Sequence, residues 1–126
     1  MSDPQQMMAL GQAVVERCNA RQEEALLEEH YAPGAVSVEA VEMPDGSREA
    51  VGRVAIKAKG DWWNNAHEVH RLKAEGPFVH GNRFHVIFDM DVTNKQTGER
   101  TQMREVGTYH VADGKIVREE FAYPLG

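Results

Sequence analysis

What the 126-residue chain has little of narrows its chemistry before any motif is read. It holds one cysteine, Cys18, so neither an intrachain disulfide nor a cysteine zinc cluster can form. Cations are outnumbered, 14 Lys and Arg against 20 Asp and Glu, leaving a formal charge of −6 with the six histidines neutral. Nucleic acids and anionic membranes are held by clustered cations, so this balance argues against both as partners. No apolar run approaches membrane-spanning length, and no basic-then-apolar signal pattern precedes Asp3-Pro4. Cytoplasm is therefore the expected compartment. A glycine-rich phosphate loop and a Gly-x-Ser-x-Gly elbow are also missing. What is present, 41% apolar and 27% charged residues, describes one folded domain with a core of its own.

Ser2-Asp3-Pro4 supplies a capping oxygen followed by proline at the first helical position, and Met7, Leu10, Val14, Val15 and Cys18 then recur at helical spacing. A second short helix is predicted from Gln22 to Tyr31, stopped by Ala32-Pro33-Gly34. Residues Ala35 to Val41 alternate as a strand, and Met43-Pro44-Asp45-Gly46-Ser47 is a surface turn. From Arg53 the spacing is helical again, with Val54, Ala58 and Trp62 on one ridge and Ile56 and Trp63 nearby. Everything after His67 reads as strand. The expected strands are His67 to Ala74, with a bulge or bend at Gly76-Pro77, the alternating run Phe84 to Val92, Thr101 to Val111 and Lys115 to Tyr123. Helices first and antiparallel strands afterwards predict an α+β architecture: three N-terminal helices packed on a strongly curved, mainly antiparallel sheet, a cone with a cavity at its mouth.

The run Tyr31-Ala32-Pro33-Gly34-Ala35-Val36 resembles the Tyr-Ala turn of the nuclear transport factor 2-like superfamily. Val51-Gly52-Arg53 followed by Ile56 resembles the Gly-x-x-Ala-Ile that opens its third helix, and Asp113 to Phe121 is similar to its last hairpin. Within that superfamily the likeness is to the SnoaL-like group, which includes polyketide cyclases and neighbours ketosteroid isomerase and limonene epoxide hydrolase. The resemblance covers nearly the whole chain and implies a cone-shaped α+β barrel, a single domain over 1–126 and a sheet-to-sheet homodimer. In the isomerases the base is an aspartate shortly after the Tyr-Ala turn; that place falls on Ala40, with Glu39 beside it. In the cyclases and the epoxide hydrolase an aspartate on the final strand acts; the ungapped match is Phe121, with Glu119 two residues earlier.

The residues themselves point to acids. Met103, Glu105, Gly107, Tyr109 and Val111 share the more apolar face of their strand. On the last strand Val117, Phe121 and Tyr123 share a face with Glu119, opposite Ile116, Arg118, Glu120 and Ala122. A two-residue Asp113-Gly114 loop would pair Glu105 with Ala122 and turn Glu120 inward. A three-residue loop from Ala112 pairs Glu105 with Phe121, sets Glu119 diagonally from Glu105, and is preferred because it buries the more apolar face. Two carboxylates in an apolar cavity raise one another's pKa, the state a general acid or base needs near neutral pH. The plainer alternative is that Glu105 and Glu119 are structural polar groups paired with arginines or backbone.

His70, with Leu72 and Ala74 on its face, is a third inward candidate, able to shuttle a proton or orient a carbonyl, or else a satisfied core histidine. Apolar walls are expected from Trp62, Phe84, Phe88, Met90, Met103 and Phe121, with one of Trp62 and Trp63 lining the cavity and the other capping the core. Tyr31, Tyr109 and Tyr123 each offer a phenol to an oxyanion. His67 and His70 lie three apart in a strand and not four apart on a helix, and Asp89-Met90-Asp91 lacks the later ligands of a calcium loop, so no metal site is expected. The leading reading is a cofactor-free isomerase or cyclase moving a proton beside a carbonyl of a small apolar ligand. The competing one is a binding or scaffold domain. The outer face, with His85, Ile87, Val106, Thr108, Ile116 and Arg118, is flat and mixed and is expected to pair with a second copy.

Overall fold

The structure, a computed structural model, describes residues 3–124, so Ser2 of the expected helix start lies outside them. Helix α1 (Pro4–Asn19) is capped by Asp3, whose side chain accepts from the Gln5 amide at 2.9 Å. Helix α2 (Glu23–His30) follows after a tight turn through Arg21, which holds a positive φ of 56°. Strands β1 (Tyr31–Val38) and β2 (Glu49–Val51) flank an excursion, and α3 (Arg53–Ala66) leads into four long strands. These are β3 (His67–His80), β4 (Arg83–Asn94), β5 (Arg100–Ala112) and β6 (Lys115–Ala122). They form one six-stranded sheet in the order β2-β1-β6-β5-β4-β3. Every pairing is antiparallel except β1 with β6, which lie side by side as parallel strands. The sheet is curved and not closed, and the three helices pack on it as an α+β cone.

The core lies between α1 and the inner face of the sheet. Met7, Leu10, Val14 and Cys18 of α1 meet Phe84, Val86, Tyr109, Val111 and Ile116. One close approach fixes the spacing: a Cβ on Gly11 would come within 2.5 Å of Pro77 Cβ and 2.6 Å of its Cγ. A proline ring cannot rotate away, so alanine at Gly11 must displace α1 from β3. The gain of about 1 kcal/mol in helix propensity is outweighed by overpacking of about 1–3 kcal/mol. We expect Gly11→Ala to unfold at lower urea than the wild type, an outcome that a raised midpoint would contradict.

Several elements depart from the expectation. Tyr31 opens β1 and does not close α2, and the strand passes through Pro33-Gly34 with a register shift between Tyr31 and Val36. A bulge is where a proline without an amide hydrogen is tolerated. β1 ends at Val38 and not at Val41, and the three-residue β2 was not anticipated, because so short a run carries no period. α3 continues past Trp63 to Ala66 and presents a different side from the expected ridge. Val54 is 87% and Trp62 47% exposed, whereas Ile56 is buried and Lys59, Gly60 and Trp63 face inward beside it. The ladder irregularity between Glu75 and Phe78 is the expected bulge at Gly76-Pro77, but β3 runs on through it to His80.

Two further bulges change which side chains face inward. Between Val69 and Arg71, β3 has one residue more than β4, and the extra residue is His70. On β6, Val111 pairs with Ile116 and His110 with Arg118, which leaves Val117 as the extra residue. The hairpin therefore uses the two-residue Asp113-Gly114 loop, both residues at positive φ, but the bulge restores Glu119 to the inner face. Ile116, expected on the outer face, lies before the bulge and is turned inward by the two-residue loop, where it is fully buried. Glu119 pairs with Tyr109, and Phe121 with Gly107 and not with Glu105. Glu105 and Glu119 are thus not diagonal neighbours. Glu105 lies four residues along β5 from Tyr109, about 13 Å at the ordinary strand rise.

Candidate active site

The helices and the inner face of the sheet enclose a cavity of about 570 Å³. Its floor is laid by β4, β5 and β6, its roof by α2 and α3, and its rim by the excursion after β1. Among the residues expected to line it, Trp62, Trp63, Phe88, Met90, Met103, Tyr109, Phe121 and Tyr123 do so. Neither tryptophan caps the core: Trp62 stands at the mouth, and Trp63 stacks on His67 at 4.4 Å. Phe84 does not reach the cavity. It is fully buried behind it and stacks on Tyr109 with ring centroids 5.0 Å apart. His70 is elsewhere too. Displaced by its bulge, it is exposed and its Nε2 lies 2.7 Å from Thr93 Oγ1.

Three carboxyl groups point into this space. Glu119, only 6% exposed, accepts a hydrogen bond from the Tyr31 hydroxyl at 2.6 Å. Burial pushes its pKa upward, while the hydrogen bond from Tyr31 and the charge of Lys59 pull the other way. Glu39, one residue beyond β1, is held by Lys59 at 2.7 Å and by the Tyr123 hydroxyl at 3.1 Å. Lys59 also donates to Ser37 Oγ and lies 5.2 Å from the centre of the Phe121 ring. Ser37 is in register with Glu119 across the parallel β1–β6 pair, so the polar groups form one connected row from Tyr31 to Tyr123.

Glu105 is the exception. No hydrogen bond to its carboxyl is made by any of the described residues, and it stands in register with Phe88 on the apolar floor. Burial, with Glu39 nearby, pushes its pKa up to about 7. Tyr109 on the same strand is 2% exposed, and its hydroxyl too has no partner among the described residues. The intervening Gly107 explains its attitude: a Cβ there would meet Tyr109 Cε2 at 3.0 Å, Phe88 Cε2 at 3.0 Å and Phe121 Cε1 at 3.2 Å. The ring therefore lies back over Gly107, and Cys18, Glu119 and then Glu105 are the groups whose charge its phenol feels. Desolvation raises the Tyr109 pKa well above 10, so it acts as a neutral donor.

The raised Glu105 pKa has a consequence for folding. Its folded value of about 7 lies above the usual 4.5, so the native state favours the protonated acid. The stability this contributes is full below pH 4.5 and is lost as pH rises through 7. We expect the stability difference between wild type and Glu105→Gln to fall by roughly 3 kcal/mol from pH 4 to pH 8, read from urea denaturation at each pH. A difference independent of pH would contradict the desolvated site.

Sequence reasoning missed Lys59 and the hold it has on Glu39. A lysine on a helix reads as solvent-facing, and only its place three residues after Ile56 and four before Trp63 marks it as inward. Among the described residues, no group of three or more His, Cys, Asp or Glu side chains is arranged to hold a metal ion, and no helix is long and apolar enough to cross a membrane.

This arrangement has counterparts. Residues 11–123 match the SnoaL-like domain family. A candidate SnoaL-like polyketide cyclase from Mesorhizobium loti is 38% identical over 91% of this chain and 97% of its own, with a TM-score of 0.85. A candidate isomerase from Bacillus subtilis is 15% identical, with a TM-score of 0.73 over 98% of this chain and 90% of that one. A nuclear transport factor 2-like protein of unknown function from Burkholderia pseudomallei is 17% identical, with a TM-score of 0.75 over 98% and 92%. The latter two share the fold alone. No curated protein matches. The chain belongs to the SnoaL-like domain family and carries its nuclear transport factor 2-like fold.

Proposed function

We propose that the protein is a small-molecule enzyme of the isomerase or cyclase type, which moves a proton at the carbon beside a carbonyl of an apolar substrate. Glu105 takes and returns the proton, and the Tyr109 phenol donates a hydrogen bond to the oxygen as charge builds on it. One observation carries this reading: an unpartnered carboxyl with a pKa of about 7 shares an apolar cavity with an unpartnered phenol on the same strand. Glu39 and Glu119 are already engaged by Lys59 with Tyr123 and by Tyr31, so neither is equally free to act. The test is exchange of the α-protons of 2-tetralone in deuterated water, followed by proton NMR. The reading requires saturable, protein-dependent exchange; a ketone that perturbs the tryptophan indole signals yet exchanges no faster than in buffer overturns it.

Ala40 at the place of the isomerase aspartate favours the second reading, a ligand-binding domain without chemistry. The same experiment decides, since binding without exchange is what that reading requires. We further propose a homodimer through the outer sheet face, on which His85, Ile87, Thr108 and the partly exposed Val106 lie. Light scattering at micromolar concentration should then give twice 14.1 kDa, and a value of 14.1 kDa would exclude it.

A further inference from the structure

The charges around the cavity are unevenly matched. Three cations line it, and each has an acid: Arg21 reaches Glu23 at 2.7 Å, Lys57 reaches Asp61 at 2.8 Å, and Lys59 reaches Glu39 at 2.7 Å. Four more carboxyl groups line the same space. Glu24 has only a 3.9 Å share of Lys57, Glu42 stands at the rim, and Glu105 and Glu119 lie inside without a cation in contact. Seven acids face three cations, a formal −4 with every acid ionised and −2 with Glu105 and Glu119, whose pKa burial raises, both protonated. A concave, apolar-walled site concentrates such a field and draws in cations, while it repels carboxylates and phosphates.

The interior already shows how it treats an ammonium. The Lys59 amine is held between the Glu39 carboxylate, the Ser37 hydroxyl and the face of Phe121. Glu105 offers a second carboxyl of this kind with no hydrogen bond to it among the described residues, in register with Phe88 and in the cavity that Phe121 also lines. An aromatic face next to a carboxylate is the environment in which an alkylammonium is most strongly held. Tyr109, only 2% exposed and making no side-chain hydrogen bond among the described residues, lines the same cavity and marks the space independently as a ligand site that takes an oxygen as well.

We propose that the natural ligand of this cavity is an apolar carbonyl compound bearing a protonated amine, its nitrogen seated on the aromatic wall against one oxygen of the Glu105 carboxylate, with the other oxygen left toward the carbon beside the carbonyl. The proposal deepens, and rests on, the reading of the cavity as a small-molecule site. It excludes the anionic substrates, such as carboxylates and phosphate esters, that a pocket of this size would otherwise admit.

Three probes of one shape test it: 2-phenylethylamine, which is cationic at pH 7, neutral 2-phenylethanol and anionic phenylacetate. Each is titrated into nitrogen-15-labelled protein at low salt, with the Trp62 and Trp63 indole signals as reporters. The amine should bind roughly tenfold or more tighter than the alcohol, the acid weaker than the alcohol, and the advantage should shrink as salt is added. In Glu105→Gln the amine should lose most of its advantage while the alcohol still binds. Equal affinities, a preference for phenylacetate, or an amine advantage untouched by Glu105→Gln overturns the proposal. If the amine is preferred but 2-tetralone is not exchanged, the ligand class stands and the enzymatic reading falls. If 2-tetralone is exchanged without amine preference, the reverse holds. Failure of all three probes to bind, together with no exchange of 2-tetralone, removes both.

Discussion

Glutamine in place of Glu105 should slow α-proton exchange by roughly 10²–10⁴-fold, the usual worth of a positioned general base. The substitution keeps the shape of the side chain and breaks no hydrogen bond among the described residues, because the Glu105 carboxyl makes none there. What it removes is the capacity to accept a proton. Since the base acts only as the carbon–hydrogen bond breaks, the loss should fall on kcat, with KM for the ketone little changed. Glutamine at Glu119 is a contrasting case. Glu119 is bound to Tyr31 and walled in by Ser37 and Tyr109, so its replacement disturbs a buried hydrogen-bonded row first. A loss of exchange in Glu119→Gln with none in Glu105→Gln would move the chemistry to the wrong carboxylate for this account.

Alanine in place of Phe84 should cost about 3–5 kcal/mol of stability, the range for emptying a buried aromatic site. Its ring is fully buried, stacks on Tyr109 and approaches the Gly11 backbone between α1 and the sheet. The neighbours on both sides belong to regular elements and cannot collapse into the space. Tyr109 also loses the surface on which its phenol rests, so exchange activity should fall together with stability. Urea denaturation measures the first effect. A cost below about 1 kcal/mol would mean that Phe84 borders the open cavity, where a void already exists.

The same residues show where the chain is readable from its sequence and where it is not. The unbroken alternation from Phe84 to Val92 placed β4 correctly and identified its inward side chains, because strand periodicity is local. His70 and Val117 defeat that method. Each is one extra residue in a ladder, and a bulge flips the parity of everything beyond it without any mark in the strand's own composition. For His70 the flip removed a candidate from the site. At the last hairpin the loop length was misjudged, yet the bulge returned Glu119 to the inner face. Glu105 needed no such correction, since the β4–β5 pairing from Arg83 to Thr93 is regular. Lys59 and Glu39 were hidden for a different reason. Each is unremarkable alone, and their importance comes from a tertiary pairing across α3 and the end of β1 that no local pattern encodes.

Everything in the functional account turns on a carboxylic acid kept near neutrality by burial. Carbon-13 NMR titration of the Glu105 side-chain carboxyl in the folded protein measures that property directly. The account predicts a midpoint of about 7, well separated from the exposed glutamates. A midpoint near the unperturbed value of about 4.3 would contradict it, because such an acid is fully ionised at neutral pH and too weak a base for the proposed proton transfer.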